Sequence, residues 1–348
     1  MLRYSGLGVC VYSYTPGALQ NEGIKLVKNA GKAELPGGDG VNMKCKHLLF
    51  LALVGGLIFA LGLQAAASPG NALVFLTDFG VKDGAVASMK GVAYGVDPGL
   101  AMFDITHEVP AFNIWEAAYR LSQAAPYWPA GTVFVSVVDP GVGTEQNSVV
   151  LETGSGHFFV SPDNGTLTIV AERLGIEAVR KIDERLNRLK GSALSHTFHG
   201  RDMYAYTGAR LAAGAIDFAQ VGPRLPAEVV KIPYQRAVLR SGVLTGTIPV
   251  LDVQFGNVWT NIPMSLFQKM NLKLGDTLCI SIFNGGVEKY AGKMPYVKSF
   301  GYVPVGRPLV YLNDLLNVSL ALNRDSFAQR HQVEAGNTWK INISKCDP

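Results

Sequence analysis

The chain has 348 residues, with 31 Lys and Arg against 27 Asp and Glu, which gives a formal net charge of +4. Residues 1–67 hold six of the basic and three of the acidic side chains, so the remainder is close to neutral, with 25 and 24. Although the sequence pI is 8.7, this balance excludes a basic nucleic-acid binder and a protein held on an anionic membrane by its charge. The ~280 residues beyond position 67 are enough for one large domain or two modest ones.

A leader is predicted at residues 1–67. Residues 43–46 are a short basic start, residues 48–63 are uninterrupted apolar or glycine, and residues 65–67 are the small side chains that precede a cleavage site. We expect a secretory signal peptide that starts at Met43 and is cut before Ser68, and therefore an exported, periplasmic protein. An uncleaved membrane anchor is the alternative, because sixteen such residues approach the length that spans a bilayer.

Two of the four cysteines, Cys10 and Cys45, fall in this leader. The other two, Cys279 and Cys346, lie far apart, and the absence of any Cys-x-x-Cys pair excludes a zinc ribbon and a thioredoxin-type motif. In an oxidising compartment they could pair and tie down the C-terminus; the alternative, which we favour, is two unpaired thiols. No cluster of His, Cys and Asp has metal-ligand spacing, so we expect neither a metal nor another cofactor.

Strands and helices alternate in the first part of the chain. Short apolar or β-branched runs predict strands at residues 72–77, 132–138, 149–151 and 158–160. Helical spacing predicts helices at residues 84–94, 166–174 and 202–213, and another after a capping box that begins at Asn113. The alternation predicts an N-terminal α/β domain over residues 68–225 with a mostly parallel sheet. Ligands bind beyond the carboxyl ends of such strands, where Asp78 and Asp139 are placed.

The pattern changes after residue 225. Residues 226–239 contain prolines and no regular periodicity, so we interpret them as a linker. Short runs separated by Gly and Asn then predict strands at residues 243–253, 278–282, 309–312 and 339–343. Because few helical stretches remain, residues 240–348 are predicted to form a smaller β domain.

Four separated motifs carry groups suited to nucleoside chemistry. They are Leu76-Thr77-Asp78-Phe79-Gly80, Val138-Asp139-Pro140-Gly141-Val142-Gly143, Thr197-Phe198-His199-Gly200-Arg201-Asp202-Met203 and Phe255-Gly256-Asn257-Val258-Trp259-Thr260-Asn261. A carboxylate such as Asp78 can accept two hydrogen bonds from a ribose diol. Asp139 and His199 together can orient and deprotonate a water. The amide of Asn257 can pair with the adenine edge, and an aromatic ring can stack on its face.

Each of these residues also has a structural alternative. Asp78 could cap the following helix, although Asp83 is the better candidate for that cap. A single histidine such as His199 is more often a satisfied structural residue than a catalyst. Phe255 and Trp259 could equally be core side chains. One motif alone is therefore a weak signal, and the order of all four gives them weight.

Taken in this order, from about residue 73 to about residue 333, the motifs resemble the S-adenosyl-L-methionine (SAM) hydroxide adenosyltransferase family. These SAM hydrolases are related to the adenosyl-fluoride and adenosyl-chloride synthases. The resemblance implies a C-terminal β-barrel, no cofactor, and a homotrimer with sites at the subunit interfaces. It implies that Asp139 and His199 activate a water and that Gly200 leaves room for it. The substrate-binding residues that it implies are Asp78 for the ribose, Phe112, Phe255, Asn257 and Tyr296 around the nucleoside, and Asp83 or Asp314 for the ammonium group.

The chain departs from the family at two positions. Gln146 stands where the family has an arginine, and a neutral amide cannot lower the pKa of Asp139 as a guanidinium would. Asp314 replaces a serine in the segment that holds the methionine end of the substrate. It could bind the α-ammonium, or it could indicate that a different tail is accepted.

The expected reaction is hydrolysis of SAM to adenosine and L-methionine by in-line attack of an activated water on the ribose 5′ carbon. Halide-dependent adenosyl transfer is one alternative. Because halide-using relatives carry aromatic or hydroxyl residues at the positions of Asp139 and His199, retention of both favours water. A non-catalytic nucleoside- or SAM-binding protein is the other alternative, suggested by Gln146 and by the export signal.

Overall fold

The computed structural model describes residues 72–346, which belong to one compact unit. The predicted leader, its start at Met43 and its cleavage before Ser68 lie outside the described residues. Within the described part, no helix combines the length and the apolar composition that a membrane span requires. The domain boundaries drawn at residues 225 and 240 stay predictions.

A seven-stranded sheet organises the first half of the fold. Its strands are β1 (Ala72–Thr77), β2 (Ala101–Thr106), β3 (Val133–Val137), β4 (Ser148–Glu152), β5 (Phe158–Pro162), β6 (Ala178–Lys181) and β7 (Arg224–Leu225). They are ordered β2-β1-β3-β5-β4-β6-β7. Neighbours from β2 to β5 are parallel, whereas β4 and β7 run opposite to their neighbours. Most strands therefore share one direction, and the predicted mostly parallel α/β sheet is confirmed.

Helices cover both faces of this sheet. They are α1 (Ala85–Val96), α2 (Ile114–Ala124), α3 (Thr168–Leu174), α4 (Glu184–Asn187), a π-helix (Gly200–Ala205) and α5 (Tyr206–Ala212), with 3-10 turns at Ala125–Tyr127 and Phe218–Val221. Successive side chains of a strand point to opposite faces. Leu73 and Phe75 of β1 therefore pack with α1 and α5, and Val74 and Leu76 pack with α2 and α3. The continuous apolar run of β1 fills two cores, as expected of a central parallel strand.

Two antiparallel sheets form the second half. Their strands are β8 (Val238–Arg240), β9 (Val243–Ile248), β10 (Val250–Asp252), β11 (Asn257–Pro263), β12 (Thr277–Asn284), β13 (Val287–Pro295), β14 (Pro308–Leu312), β15 (Asn317–Leu322) and β16 (Gly336–Lys345). The shorter elements are α6 (Met264–Phe267), α7 (Phe327–His331) and 3-10 turns at Gln268–Met270 and Phe300–Tyr302. The sheets have the orders β10-β11-β15-β14 and β13-β12-β16-β9-β8 and share one hydrophobic core. The predicted β-rich half is confirmed, while its closure into a barrel stays a prediction.

Pro249 divides one predicted strand into two. The sequence predicted a single strand over residues 243–253, whereas β9 and β10 meet at Pro249 and belong to different sheets. Proline has no amide hydrogen to continue a ladder. This corner also contacts the first half of the fold. Trp115 Nε1 donates to the Pro249 carbonyl at 3.1 Å, and Arg120 Nη2 donates to the Leu251 carbonyl at 2.8 Å.

A disulfide joins Cys279 of β12 to Cys346, with their Cα atoms 5.1 Å apart. Our preference for two unpaired thiols was wrong. The antiparallel register of β12 and β16 places Cys279 opposite Ser344, so the residue just after β16 lies within reach of it. The sequence separation of 67 positions between the two cysteines concealed this proximity in the sequence.

Candidate active site

Asp78 and Asp139 lie at the same edge of the first sheet, because they follow β1 and β3, which are parallel neighbours. Asp78 Oδ2 accepts a hydrogen bond from the Phe112 amide at 2.8 Å. Phe112 has a backbone φ of 67°, an uncommon conformation for a bulky residue and one that concentrates at functional sites. One oxygen of Asp78 is thus held by the protein, and its contact with a ribose hydroxyl stays a prediction.

Asp83 acts at the start of α1. Its Oδ1 accepts a hydrogen bond from the Ala85 amide at 2.9 Å, and its side chain is exposed. A carboxylate at this end of a helix satisfies an otherwise unpaired amide and interacts favourably with the helix dipole. The N-cap residue itself is Gly84, so the prediction of Asp83 as the N-cap is wrong by one residue, and its contact with a substrate ammonium stays a prediction.

Both oxygens of the Asp139 carboxylate are contacted. Gln146 Nε2 donates to Oδ1 at 2.5 Å, and the Tyr204 hydroxyl donates to Oδ2 at 3.4 Å. The same hydroxyl lies 2.9 Å from Ser148 Oγ. Burial raises the pKa of the Asp139 carboxyl, and the hydrogen bonds from Gln146 and the Gly141 amide oppose this only in part. The carboxylate is thus fixed in orientation and a better proton acceptor than an exposed aspartate.

His199 is buried and lies immediately before the π-helix. Its Nε2 has no hydrogen-bond partner among the described residues. Burial and the positive charge of Arg188 lower the pKa of His199, although Glu184 and Asp139 act in the opposite sense. The imidazole is therefore neutral at neutral pH, and Nε2 can interact with a water.

The Arg188 side chain contacts the turn that carries His199. Its guanidinium donates to the Ser195 carbonyl at 2.6 Å, pairs with Glu184 at 2.7 Å and lies 3.7 Å from the Met203 sulfur. Its side chain is only 8% exposed. Arg188 thus contacts the chain on both sides of His199 and places a positive charge beside it.

Gly200 is packed against an aromatic side chain. A Cβ at this position would lie 3.1 Å from the Phe79 ring, which itself packs edge-on against Phe198 with ring centroids 5.8 Å apart. The absence of a side chain therefore lets Phe79, the neighbour of Asp78, approach the residue that follows His199. This contact brings the first and third motifs together. The predicted role of Gly200 in leaving room for the water stays a prediction.

The predicted adenine-binding residues form a second group in the other half of the fold. Asn257 is buried, and its Nδ2 donates to Asp252 Oδ2 at 2.8 Å. Phe255 is 66% exposed, whereas Trp259 is buried, as its core alternative predicted. An exposed aromatic ring beside an amide is a suitable arrangement for a planar base.

Tyr296 and Asp314 lie elsewhere in this half. Tyr296 packs edge-on against Phe267 with ring centroids 5.0 Å apart. Asp314 is exposed at a cleft of about 710 Å³ that residues from both halves line, including Glu116 and Arg120. Their contacts with a substrate stay predictions.

The structure links the predicted residues Asp78, Asp139 and His199 in the first half of the fold. Asp139 and His199 interact electrostatically, and Phe79 links the loop of Asp78 to the same turn. No hydrogen bond within residues 72–346 connects these three with Phe255 or Asn257. The roles of both groups in nucleoside binding stay predictions.

Four residues of these groups escaped the sequence analysis, namely Ser148, Arg188, Tyr204 and Asp252. Tyr204 lies five residues after His199, where a π-helix replaces the ordinary helix that periodicity predicts. Arg188 belongs to an irregular segment with no periodic signal. Only Asp252 had a signal, as an acidic residue three positions before the fourth motif.

Comparisons with known proteins place the chain in a family. Residues 73–222 match the family model of the SAM hydroxide adenosyltransferase N-terminal domain, and residues 246–340 match that of the C-terminal domain. The (R)-S-adenosyl-L-methionine hydrolase of Methanocaldococcus jannaschii is 40% identical over 66% of this chain and 80% of its own length. A fluorinase of Actinoplanes sp. is 29% identical over 78% of this chain and 98% of its own length. A crystal structure of an uncharacterised conserved protein from Thermotoga maritima is similar, with a TM-score of 0.72 and 35% identity over 78% of this chain and 100% of that one. This chain belongs to the SAM hydroxide adenosyltransferase family.

Proposed function

We propose that this protein hydrolyses SAM to adenosine and L-methionine. The observation that carries the proposal is the pairing of half-buried Asp139 with neutral His199 at the carboxyl edge of the sheet. The relative from M. jannaschii is named as an (R)-S-adenosyl-L-methionine hydrolase and is 40% identical, which supports the same reaction for this chain.

In the proposed reaction, water attacks the ribose 5′ carbon from the side opposite the sulfur. The new bond joins the water oxygen to this carbon, the carbon–sulfur bond breaks, and its electron pair stays on sulfur, so the sulfonium becomes the neutral thioether of methionine. The water loses a proton to the pair formed by Asp139 and His199. Gln146 and Tyr204 hold the carboxylate in place, which contributes orientation.

The substrate contacts are proposed in the same terms. Asp78 accepts hydrogen bonds from the ribose hydroxyls beside the exposed ring of Phe112. Phe255 and Asn257 bind the adenine, and Asp83 or Asp314 binds the ammonium group. Tyr296 closes the nucleoside site from the second half.

Incubation of the protein with SAM, with and without fluoride or chloride, tests the reaction. Equal amounts of adenosine and methionine are expected. A 5′-halogenated deoxyadenosine formed in place of adenosine would instead support halide-dependent transfer, which the similarity to a fluorinase motivates. Binding of SAM with no product would identify a nucleoside-binding protein.

Two size-matched substitutions test the assigned roles. Asp139→Asn and His199→Gln should each lower turnover by about 10²-fold, the lower range for general base catalysis, while calorimetry should show adenosine affinity close to that of the parent. Loss of adenosine binding in both variants would mean that these side chains hold the ligand instead.

We also propose a homotrimer in which Asp139 of one subunit and Asn257 of the next face the same nucleoside, with a barrel-like C-terminal half. The exposed rings of Phe112 and Phe255, at 70% and 66%, support this assembly, since exposed aromatic side chains are typical of interfaces. Light scattering at micromolar concentration should give three times the chain mass. A monomer with full activity would contradict it.

Export to the periplasm is proposed from the leader and from the disulfide between Cys279 and Cys346, because such bonds persist in oxidising compartments. Expression of the full chain followed by cell fractionation and N-terminal sequencing should yield a periplasmic protein that begins at Ser68. A cytoplasmic protein with an intact leader would be the contrary result.

A further inference from the structure

Four polar side chains contact one another in a row that ends at Thr77, the residue before Asp78. Lys90 Nζ of α1 lies 2.6 Å from Asp104 Oδ2 of β2, and Asp104 Oδ1 lies 3.0 Å from His107 Nε2. His107 Nδ1 is 2.8 Å from the hydroxyl of Thr77, the last residue of β1. His107 is 5% exposed and Thr77 is fully buried. None of these side chains has a part in the reaction described above.

The direction of the hydrogen bonds among these four side chains follows from which atoms can donate and which can accept. The contact between Asp104 and His107 is short but poorly aligned, and since a carboxylate can only accept, it favours the proton on Nε2. His107 Nδ1 is then the acceptor for the Thr77 hydroxyl. The Thr77 oxygen in turn accepts from the Phe79 amide at 3.2 Å. From the Phe79 amide through Thr77 and His107, each donor therefore points toward Asp104, which also accepts from Lys90 on its other side.

The Asp104 carboxyl in this row of side chains is ionised at neutral pH. Partial burial opposes ionisation of Asp104, but Lys90 and His107 together hold the pKa of its carboxyl below the usual range. The carboxylate is therefore ionised at neutral pH and can orient the His107 ring through its contact with Nε2.

His107 also contacts the loop through its backbone. Its carbonyl accepts a hydrogen bond from the Gly80 amide at 2.7 Å, and Gly80 has a φ of 66°, which glycine adopts without strain. The loop is thus held at Thr77, Phe79 and Gly80, on both sides of Asp78.

We propose that His107 is a positioning residue for nucleoside binding, which fixes the loop of Asp78 through the Thr77 hydroxyl and the Gly80 amide. The inference rests on the proposed function only in taking a nucleoside as the ligand. His107 does not touch that ligand, and it acts through the backbone on the orientation of Asp78 and on the contact of Phe79 with Gly200.

A second buried histidine provides a matched control. His157 is 4% exposed, and its ring nitrogens lie 2.8 Å from Ser155 Oγ and 2.8 Å from the Trp128 carbonyl. It precedes β5 and so lies at the amino end of that strand, opposite to the edge of Asp78. Loss of either histidine removes two contacts from a buried ring, but only His107 adjoins the loop.

The experiment compares His107→Leu, Thr77→Val and His157→Leu in the full chain, with adenosine affinity from calorimetry, KM and kcat for SAM, and Tm. We expect His107→Leu and Thr77→Val to raise the adenosine Kd and the KM by about ten-fold, the factor that one lost hydrogen bond corresponds to, with a much smaller change in kcat. His157→Leu should lower Tm and leave Kd and KM unchanged. His107→Asn keeps an amide where Nδ1 was and should restore most of the affinity.

Several outcomes would overturn the inference. Equal Kd and KM effects in His107→Leu and His157→Leu would reduce His107 to a structural residue, and a fall in kcat at constant KM would place it in the chemistry. Thr77→Val decides the question if His107→Leu does not fold. If the parent binds adenosine without hydrolysing SAM, the proposed function fails while the Kd values still test His107. A parent that neither binds adenosine nor hydrolyses SAM contradicts both.

Discussion

Gln146 Nε2 lies 2.5 Å from Asp139 Oδ1, so a neutral amide holds the carboxylate that is proposed to accept a proton. An amide fixes the orientation of a carboxylate but favours its ionised form less than a guanidinium does. Burial keeps the pKa of Asp139 raised in spite of this contact. Asp139 is thus held by a hydrogen bond from a neutral partner in place of an ion pair.

Restoring that charge should increase the rate. A charge-assisted hydrogen bond contributes about 1.5–3 kcal/mol, which is roughly 10- to 150-fold if it acts only in the transition state. We expect Gln146→Arg to raise kcat at least several-fold in initial-rate measurements with SAM. Gln329→Arg adds the same charge on an exposed face of α7 and should have no effect. An unchanged rate in Gln146→Arg, with activity still lost in His199→Ala, would show that other groups activate the water.

Tyr204→Phe removes the hydroxyl that donates to Asp139 and leaves Ser148 Oγ without this partner. Because that hydrogen bond lowers the pKa of Asp139, its loss should shift the acidic limb of the rate profile to higher pH. The unpaired buried hydroxyl should cost about 1–3 kcal/mol of unfolding free energy in denaturant titrations. Tyr119→Phe, in another buried cluster, should leave the profile in place. The same profile in both variants would exclude Tyr204 from the site.

The pH dependence should follow the two shifted groups. If catalysis needs ionised Asp139 and neutral His199, activity is present above both pKa values and is lost as pH falls through them. The pKa of Asp139 lies above its ordinary 3.8 and that of His199 lies below 6.5. We therefore expect kcat/KM to be level at neutral pH and to fall within the window between these two values. A fall that begins above pH 6.5 would contradict this assignment.

Arg188→Gln tests the cause of the histidine shift. Removal of the positive charge should raise the pKa of His199 and move the acidic limb to higher pH, since the charge disfavours the imidazolium. Arg185→Gln, an 88% exposed side chain of α4 three residues before Arg188, is the control and should not move the limb. If the acidic limb of Arg188→Gln moved to lower pH, the contacts of Arg188 with the turn would matter more for His199 than its charge does.

Reduction of the disulfide between Cys279 and Cys346 should destabilise the fold by about 2–4 kcal/mol, as expected for a long closed loop. The parent should therefore melt roughly 4–16 °C lower with a strong reductant than without it. The variant with both Cys279→Ala and Cys346→Ala should melt at the lower temperature and ignore the reductant. A parent with the same Tm in both conditions would mean that the bond contributes no stability.

The positions of Asp78 and Asp139 could be predicted because they depend on local signals. Each follows a short apolar strand, and parallel neighbours end at the same edge of a sheet. The cap at Asn113 was equally local, and its side chain accepts from the Glu116 amide at 3.0 Å. Strand ends and helix caps depend on neighbouring residues, so apolar periodicity and capping patterns locate them to within a few positions.

The unpredicted features depend on contacts between distant segments. Tyr204 reaches Asp139 across 65 positions because the helix after His199 begins as a π-helix, which leaves no mark on apolar spacing. The bond between Cys279 and Cys346 required the register of β12 against β16. The alternation of apolar and polar residues over 243–253 is the same for one long strand and for two strands in different sheets, so it could not predict the corner at Pro249.

That corner has a consequence for how freely the second half can change in sequence. Trp115 and Arg120 both donate to backbone carbonyls, those of Pro249 and Leu251, and a carbonyl is present whatever the side chain. A substitution of Leu251 therefore keeps the carbonyl that accepts from Arg120. A substitution of Trp115 or Arg120 removes the donor and with it the hydrogen bond. These two hydrogen bonds are specified from the helix side, whereas the packing of Tyr119 against Val250 and Trp259 depends on side chains of both halves.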